Sequence, residues 1–313
     1  MTPFHKIPHH WSSAYGFLWQ NGQKTEFGTL GGSSGAAVGI NLQGQILLEE
    51  DTAQFDKRGL PVDHYCLLDN GHLTDLTMTA GYKITKAIGF NHRGQLFLQG
   101  HKASQPPNEH LLEYSNGEII DRGVLGTNIF DASAVNNKYQ VVGDMKVGQR
   151  KYRDKSVSSI DHAFLWQKGK VTDLGTLGGA ESTAKAINDY GQIVGDSGLK
   201  ESVAHAFLYE HGKMRDLGTL GTNELENRIY LSRATAINDS GQIVGDSMSN
   251  PVGEVDGFIW ENGKMTDLST LILSGSGWFS IGDAQAINDQ GQIIGEGGRI
   301  GVDYNDSYLL TPH

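Results

Sequence analysis

One cysteine, Cys66, stands in a chain of 313 residues, so no intramolecular disulfide can form. Proline is scarce at 7 residues, which excludes a proline-rich linker or polyproline protein. No apolar run approaches the roughly 18–20 residues of a membrane-spanning helix, so membrane insertion is not expected. The first residues, Met1 to Trp11, carry three histidines and lack the apolar centre of a secretory signal. Location is therefore open between the cytosol, export by another route and loss of a leader; residues 1–13 read as an accessory segment. Positive charge is the minority sign, 25 Lys and Arg against 36 Asp and Glu, and the net charge of −11 argues against general nucleic-acid binding. The chain also lacks a Gly-x-Ser-x-Gly elbow, a Gly-Lys-Ser/Thr phosphate loop and a His-Glu-x-x-His zinc motif.

What the chain has in excess is glycine, 42 residues, and it is spaced regularly. Asn188-Asp189-Tyr190-Gly191-Gln192-Ile193 returns as Asn238 to Ile243 and Asn288 to Ile293. Looser copies begin at Asn41, Asn91 and Asn136, the last with Tyr139 in place of glycine. The glutamines fall at 45, 95, 140, 192, 242 and 292, so six units of about 50 residues follow one another. Such repeats bury their apolar faces only against neighbours, and residues 1–313 read as one domain.

Each unit holds four short strands. His162-Ala163-Phe164-Leu165-Trp166, the pair Lys168-Gly169 and then Val171-Thr172-Asp173-Leu174 read as a hairpin with a type I′ turn. Equivalent turns are Asn21-Gly22, Asn70-Gly71, Asn116-Gly117, His211-Gly212 and Asn262-Gly263. A second hairpin joins Ala184-Lys185-Ala186-Ile187 to Gln192-Ile193-Val194-Gly195 through Asn188-Asp189-Tyr190-Gly191. The oxygens of that turn suit turn chemistry, and the downstream carboxylates of a calcium loop are missing. Alanines at 132/134, 184/186, 234/236 and 284/286 mark the innermost strand, where neighbours converge. The expected fold is all-β: a six-bladed β-propeller of four-stranded antiparallel blades, closed by N- and C-terminal strands. Two segments, Gly16–Trp19 and Tyr308–Leu310, compete for the third strand of the last blade.

The segments His162 to Trp166, Asp173-Leu174-Gly175-Thr176-Leu177-Gly178-Gly179 and Ala186 to Gly195 resemble the HAF repeat family. The resemblance is strong over 161–296 and weak over 51–145. It implies a bacterial, often extracellular repeat protein, and it brings no catalytic residues.

Strand connectivity sorts the loops: tight turns share one end of the blades and long connections the other, where binding residues are expected. The segment Met145–Asp161 carries Lys146, Arg150, Lys151, Arg153 and Lys155, a basic patch fit for an acidic ligand or partner or for solvation alone. Aromatics outside the repeat pattern are Tyr82, Phe130, Tyr152, Tyr230, Trp278, Phe279 and Tyr304, and Arg228 accompanies Tyr230. They suit stacking on sugars or partner docking, or packing of their own loops. His64, His110, His162 and His205 each precede a core position by two residues, which points to a repeated structural hydrogen bond. Cys66 falls at the core position held elsewhere by Phe17, Leu112, Phe164, Phe207 and Phe258, so a buried, unreactive thiol is expected. Asp131, Glu181, Glu224, Glu226, Asp283 and Asp303 are acids near loop ends that an acid–base pair would draw on. The leading expectation is a monomeric, non-enzymatic binding propeller for a protein or glycan, with no catalytic residues, metal or cofactor. A carbohydrate-active hydrolase or lyase, or an effector acting on a host partner, are the alternatives.

Overall fold

A computed structural model describes residues 16–20, 22–27, 31–55, 61–104, 108–126, 128–151, 156–199, 203–221, 231–250, 254–301 and 306–312. The fold is a six-bladed β-propeller built from small antiparallel sheets, with the order along each blade following the chain. Two compact units divide the chain, 1–122 and 123–313.

The first unit opens with a two-stranded sheet, β1 (Phe17–Gln20) and β2 (Gln23–Glu26). A four-stranded sheet follows: β3 (Gly31–Ile40), β4 (Ile46–Phe55), β5 (Pro61–Asp69) and β6 (His72–Asp75). The next sheet has five strands: β7 (Met78–Thr79), β8 (Tyr82–Phe90), β9 (Leu96–Lys102), β10 (Glu109–Ser115) and β11 (Glu118–Gly126). The extra strand β7 was not expected. It exists because Ala80 and Gly81 both take positive φ, 51° and 81°, and fold Met78–Thr79 back onto β8.

The second unit holds three four-stranded sheets and one of three strands. They are β12 (Ile129–Val135), β13 (Val141–Lys151), β14 (Val157–Gln167) and β15 (Lys170–Asp173); β16 (Ser182–Ile187), β17 (Ile193–Gly198), β18 (Ala204–Glu210) and β19 (Lys213–Asp216); β20 (Ser232–Ile237), β21 (Ile243–Met248), β22 (Val255–Glu261) and β23 (Lys264–Asp267). After a 3-10 turn at Leu268–Thr270 come β24 (Trp278–Ile287), β25 (Ile293–Arg299) and β26 (Asp306–Leu310). The competition for the third place beside β25 goes to β26, whose Tyr308 pairs with Gly295 as Phe207 pairs with Gly195. Among the described residues β1 pairs with β2 alone.

Local chemistry accounts for the hairpins. Asn70, Asn116, Lys168, His211 and Asn262 have φ of 48–52°, each followed by a glycine near 80°, as type I′ geometry demands. In the other turn Asn188 Oδ1 accepts from the Tyr190 and Gln192 amides at 3.1 and 3.0 Å, so the side chain does the work of a turn backbone. The same asparagine then reaches the next sheet, with Asn188 Nδ2 donating to the Asn238 carbonyl at 3.0 Å. Asn136 and Asn238 repeat that contact onto Asn188 and Asn288. The tight turns of the second unit are thereby joined from sheet to sheet.

The core lies between successive sheets rather than within one. Val194, Ala206 and Leu208 pack with Ala234, Ile243, Phe258 and Trp260 of the following sheet. Phe164, Phe207 and Phe258 are fully buried, each contributing roughly 1.5–3 kcal/mol by leaving water. Ala132, Ala184, Ala234 and Ala284 are also fully buried, and β12, β16 and β20 each run close to the first strand of the next sheet. Cys66 is completely buried, and burial, with Asp75 and Glu50 adding to it, pushes its thiol pKa up to about 12. The expected buried core thiol is what the structure shows.

Several segments expected as loops are strand. Residues 145–151 and 157–161 continue β13 and β14, and Phe130, Trp278, Phe279 and Tyr82 lie in or at the start of β12, β24 and β8. Cross-strand pairing such as Arg150↔Ser158 extends the hairpin, and the register shift between Lys146 and Gly148 takes up the glycine inside the strand. Among the described residues no helix is long and apolar enough to cross a membrane.

Candidate functional site

Three sheets of the second unit place an aspartate at one repeated position, and the fourth places Glu296 there. Asp144, Asp196 and Asp246 follow Gly143, Gly195 and Gly245 on the second strand. A side chain on those glycines would sit 1.9 Å from the carbonyl of Asp131, Thr183 or Arg233, so only glycine admits the close approach of the first strand. That approach sets the acids opposite Asp131, Thr183 and Arg233. Arg233 donates through Nε and Nη2 to Asp246 Oδ2 at 3.2 and 3.1 Å.

The electrostatics of this band are unusual. Burial lifts the Asp196 carboxyl above the ordinary range, against the pull of Lys185 and Arg233. Burial likewise raises Asp246, and Asp283 adds to it, although Arg233 opposes both. Arg233 is itself held more firmly protonated, first by its hydrogen bond to Asp246. Two neighbouring sheets thus carry protonation-prone acids with a guanidinium beside them, an arrangement suited to proton donation or to holding a polar ligand.

The anticipated histidine pairing is present four times. His64, His110, His162 and His205 place Nδ1 at 2.6, 2.9, 3.0 and 3.0 Å from Asp75, Asp121, Asp173 and Asp216. Asp75 and Asp216 sit below the usual carboxylate range: burial works upward on both, and the amides and hydroxyl they accept from, with the histidines, outweigh it.

In the first unit one such pair gains a third member. Tyr82 Oη donates to Asp121 Oδ2 at 2.7 Å, and its ring stands edge-on to His110 with centroids 6.0 Å apart. Burial, then the Asp121 carboxylate, pushes the phenol up to about 12. Tyr82 is half-buried by these contacts and anchors its own sheet.

The other candidates separate. Arg150 and Lys151 are exposed at the far end of β13, with Arg150 Nη1 3.9 Å from Glu181 Oε1. Trp278 is half-buried, edge-on to Tyr308 at 6.0 Å within the core of its sheet, whereas Phe279 is 67% exposed beside Gly298. Phe130 is placed as a strand residue only. Tyr152, Arg153, Arg228, Tyr230 and Tyr304 lie outside the described residues, as do Glu224, Glu226 and Asp303. Of the remaining acids, Asp131 faces Asp144, and Asp283 adjoins Asp246.

Sequence reasoning missed Asp144, Asp196, Arg233 and Asp246. The signal was available: Val-Gly-Asp recurs at 142–144, 194–196 and 244–246, each time inside the repeat. In the first unit Glu50 occupies the place of Ser197 and is 1% exposed, its carboxyl raised by burial and then by Asp51.

No family model and no curated protein matches the chain. Among solved structures it is similar to a puromycin-hydrolysing peptidase of Mycobacterium tuberculosis, at 11% identity and TM-score 0.55. It also resembles an acylaminoacyl peptidase of Pyrococcus horikoshii, at 12% identity and TM-score 0.51. The matches take in 94% and 92% of this chain but only 46% and 45% of those proteins. At that identity the likeness concerns the fold.

Proposed function

We propose that this chain is a non-enzymatic binding propeller that engages an acidic glycan, or the acidic surface of a protein, through the end of the sheets carrying the long connections. The HAF-repeat resemblance belongs to the same proposal. The observation that carries it is the β13–β14 extension. Strands β17 and β21 stop after 6 residues, whereas β13 runs for 11 and ends in exposed Arg150 and Lys151. A strand that outgrows its repeat gains nothing for the blade core, and it holds two cations on rigid backbone where a carboxylate or sulfate can meet them. An array of carboxylated, sulfated and neutral glycans tests the reading. Binding to acidic members that falls with salt and disappears in Arg150→Ala/Lys151→Ala supports it; retention by that variant, or no acidic binding, overturns it.

The raised carboxyls of Asp196 and Asp246 favour a second reading, a carbohydrate-active hydrolase or lyase with one of them as general acid. Glycoside or uronate cleavage that Asp196→Asn and Asp246→Asn abolish would establish it.

A further inference from the structure

The opposite end of the second unit, where the tight turns lie, holds an open groove of about 470 Å³ between the β16–β19 sheet and the β20–β23 sheet. Tyr190, Gln192, Glu210, His211 and Asp239 line it. That volume lies within the range of small-molecule sites.

Two of these residues depart from the repeat, and both departures fall in the same unit. At the third turn position the other units carry Gln43, Arg93, Lys138, Ser240 and Gln290; only here is there an aromatic. At the first position of the other hairpin turn they carry Asn21, Asn70, Asn116, Lys168 and Asn262; only here is there a histidine. Turn geometry explains neither. The Tyr190 backbone amide meets Asn188 Oδ1 whatever its side chain, and its side chain is left 74% exposed. His211 takes φ 50°, which asparagine serves at Asn70, Asn116 and Asn262.

The polar groups in the groove are already oriented. Asn188 Nδ2 donates to Gln192 Oε1 at 2.7 Å, and Gln192 Nε2 donates to Glu210 Oε2 at 2.9 Å, so the carboxylate that lines the groove is held in place through one of its two oxygens. Asp239 Oδ1 accepts from the Asp189 amide at 2.9 Å. The Glu210 carboxylate, held by Gln192, has accepting capacity left for a hydroxyl group. A single tyrosine makes a flat platform and not the cage that a quaternary ammonium group requires.

We propose that this groove is a neutral-sugar subsite: Tyr190 stacks on the apolar face of a pyranose ring, Glu210 accepts from its hydroxyls, and the His211 imidazole bonds at the rim. The site is separate from the basic hairpin and does not depend on it.

Saturation-transfer NMR on the whole chain, with methyl glucoside, methyl mannoside, methyl galactoside and N-acetylglucosamine as probes, tests this. At least one glycoside should give transfer, weakened about tenfold or more in affinity by Tyr190→Ser. His211→Asn should weaken it less. Tyr190→Phe should keep it, and so should Arg150→Ala/Lys151→Ala. Serine and asparagine occupy these positions in sister units, so both variants are expected to fold, and their melting curves check that. Absence of transfer from all four sugars overturns the proposal. So does transfer that survives Tyr190→Ser, or spermidine binding in the groove with no glycoside binding.

Discussion

The two ends of the sheets in the second unit obey different rules. At the turn end Asn136, Asn188, Asn238 and Asn288 repeat the same contacts, each shaping its own turn and all but the last bonding to the next sheet. At the other end the repeated positions Asp131, Thr183, Arg233 and Asp283 hold different charges, and the strands differ in length. The difference shows where each kind of free energy resides. The Asn188 and Asn238 turns each give one sheet-joining hydrogen bond and receive another, so their asparagines serve two sheets at once. Charges at the other end carry no such constraint and are free to diverge.

Breaking the regular end should have the largest effect. Asn238 is buried, and Asn238→Ala removes its bonds to Gln242 and to the Asn288 carbonyl. A loss of about 2–3 kcal/mol is expected, since it leaves buried partners unmet. Urea unfolding measures this, and a loss below half of that would mean that the sheet-to-sheet contacts add nothing.

At the charged end the sign reverses. The Asp196 carboxyl is raised in the folded chain, so the stability it contributes is full below its unfolded pKa, near 4, and is lost as pH rises through the folded value. Asp196→Asn should therefore stabilise the protein at pH 7, by about 1 kcal/mol, and flatten the decline above pH 4. Melting temperatures of both chains across pH 4–8 decide it; parallel curves would contradict the burial argument.

A smaller effect is expected for the histidine pairs, which are screened by solvent. His205→Ala should cost about 0.5 kcal/mol. Asp216 is depressed in the folded chain, so its contribution is present above the unfolded pKa and lost as pH falls through the folded value. The variant should accordingly lose the most acidic part of its stability profile at higher pH than the wild type, as acid titration followed by circular dichroism would record.

The smallest change in stability belongs to the pair that binding is proposed to use. Arg150→Ala/Lys151→Ala should remain within about 0.5 kcal/mol of the wild type, because both side chains are exposed. A larger loss in the same urea assay would make the extension part of the fold and not a ligand-bearing arm.

Much of the fold was legible because hairpins are local. Asn-Gly pairs announced the type I′ turns, and the Asn-Asp-x-Gly turns proved to be asparagine-shaped, as their oxygens suggested. The histidines were read correctly because a residue recurring two places before a core position meets the same neighbour each time. The site was harder to read. Loops were inferred wherever the repeat lapsed and glycine, serine or aspartate appeared, yet in the β13–β14 extension and the start of β24 those residues are taken up in strands, with register shifts at Lys146/Gly148 and Ile281/Ala284. Asp196 and Asp246 passed unnoticed because a conserved-looking acid inside a repeat reads as surface until its burial is known.

By itself, then, the order of residues determined which segments pair and where the chain turns, since those depend on neighbours a few positions away. Only the tertiary structure decided that Tyr308 and not Phe17 pairs beside Gly295, that Arg233 meets Asp246, and that Tyr190 and His211 share one groove. Those outcomes depend on residues brought together from separate strands and turns, and side-chain burial and charge there follow from distance in space.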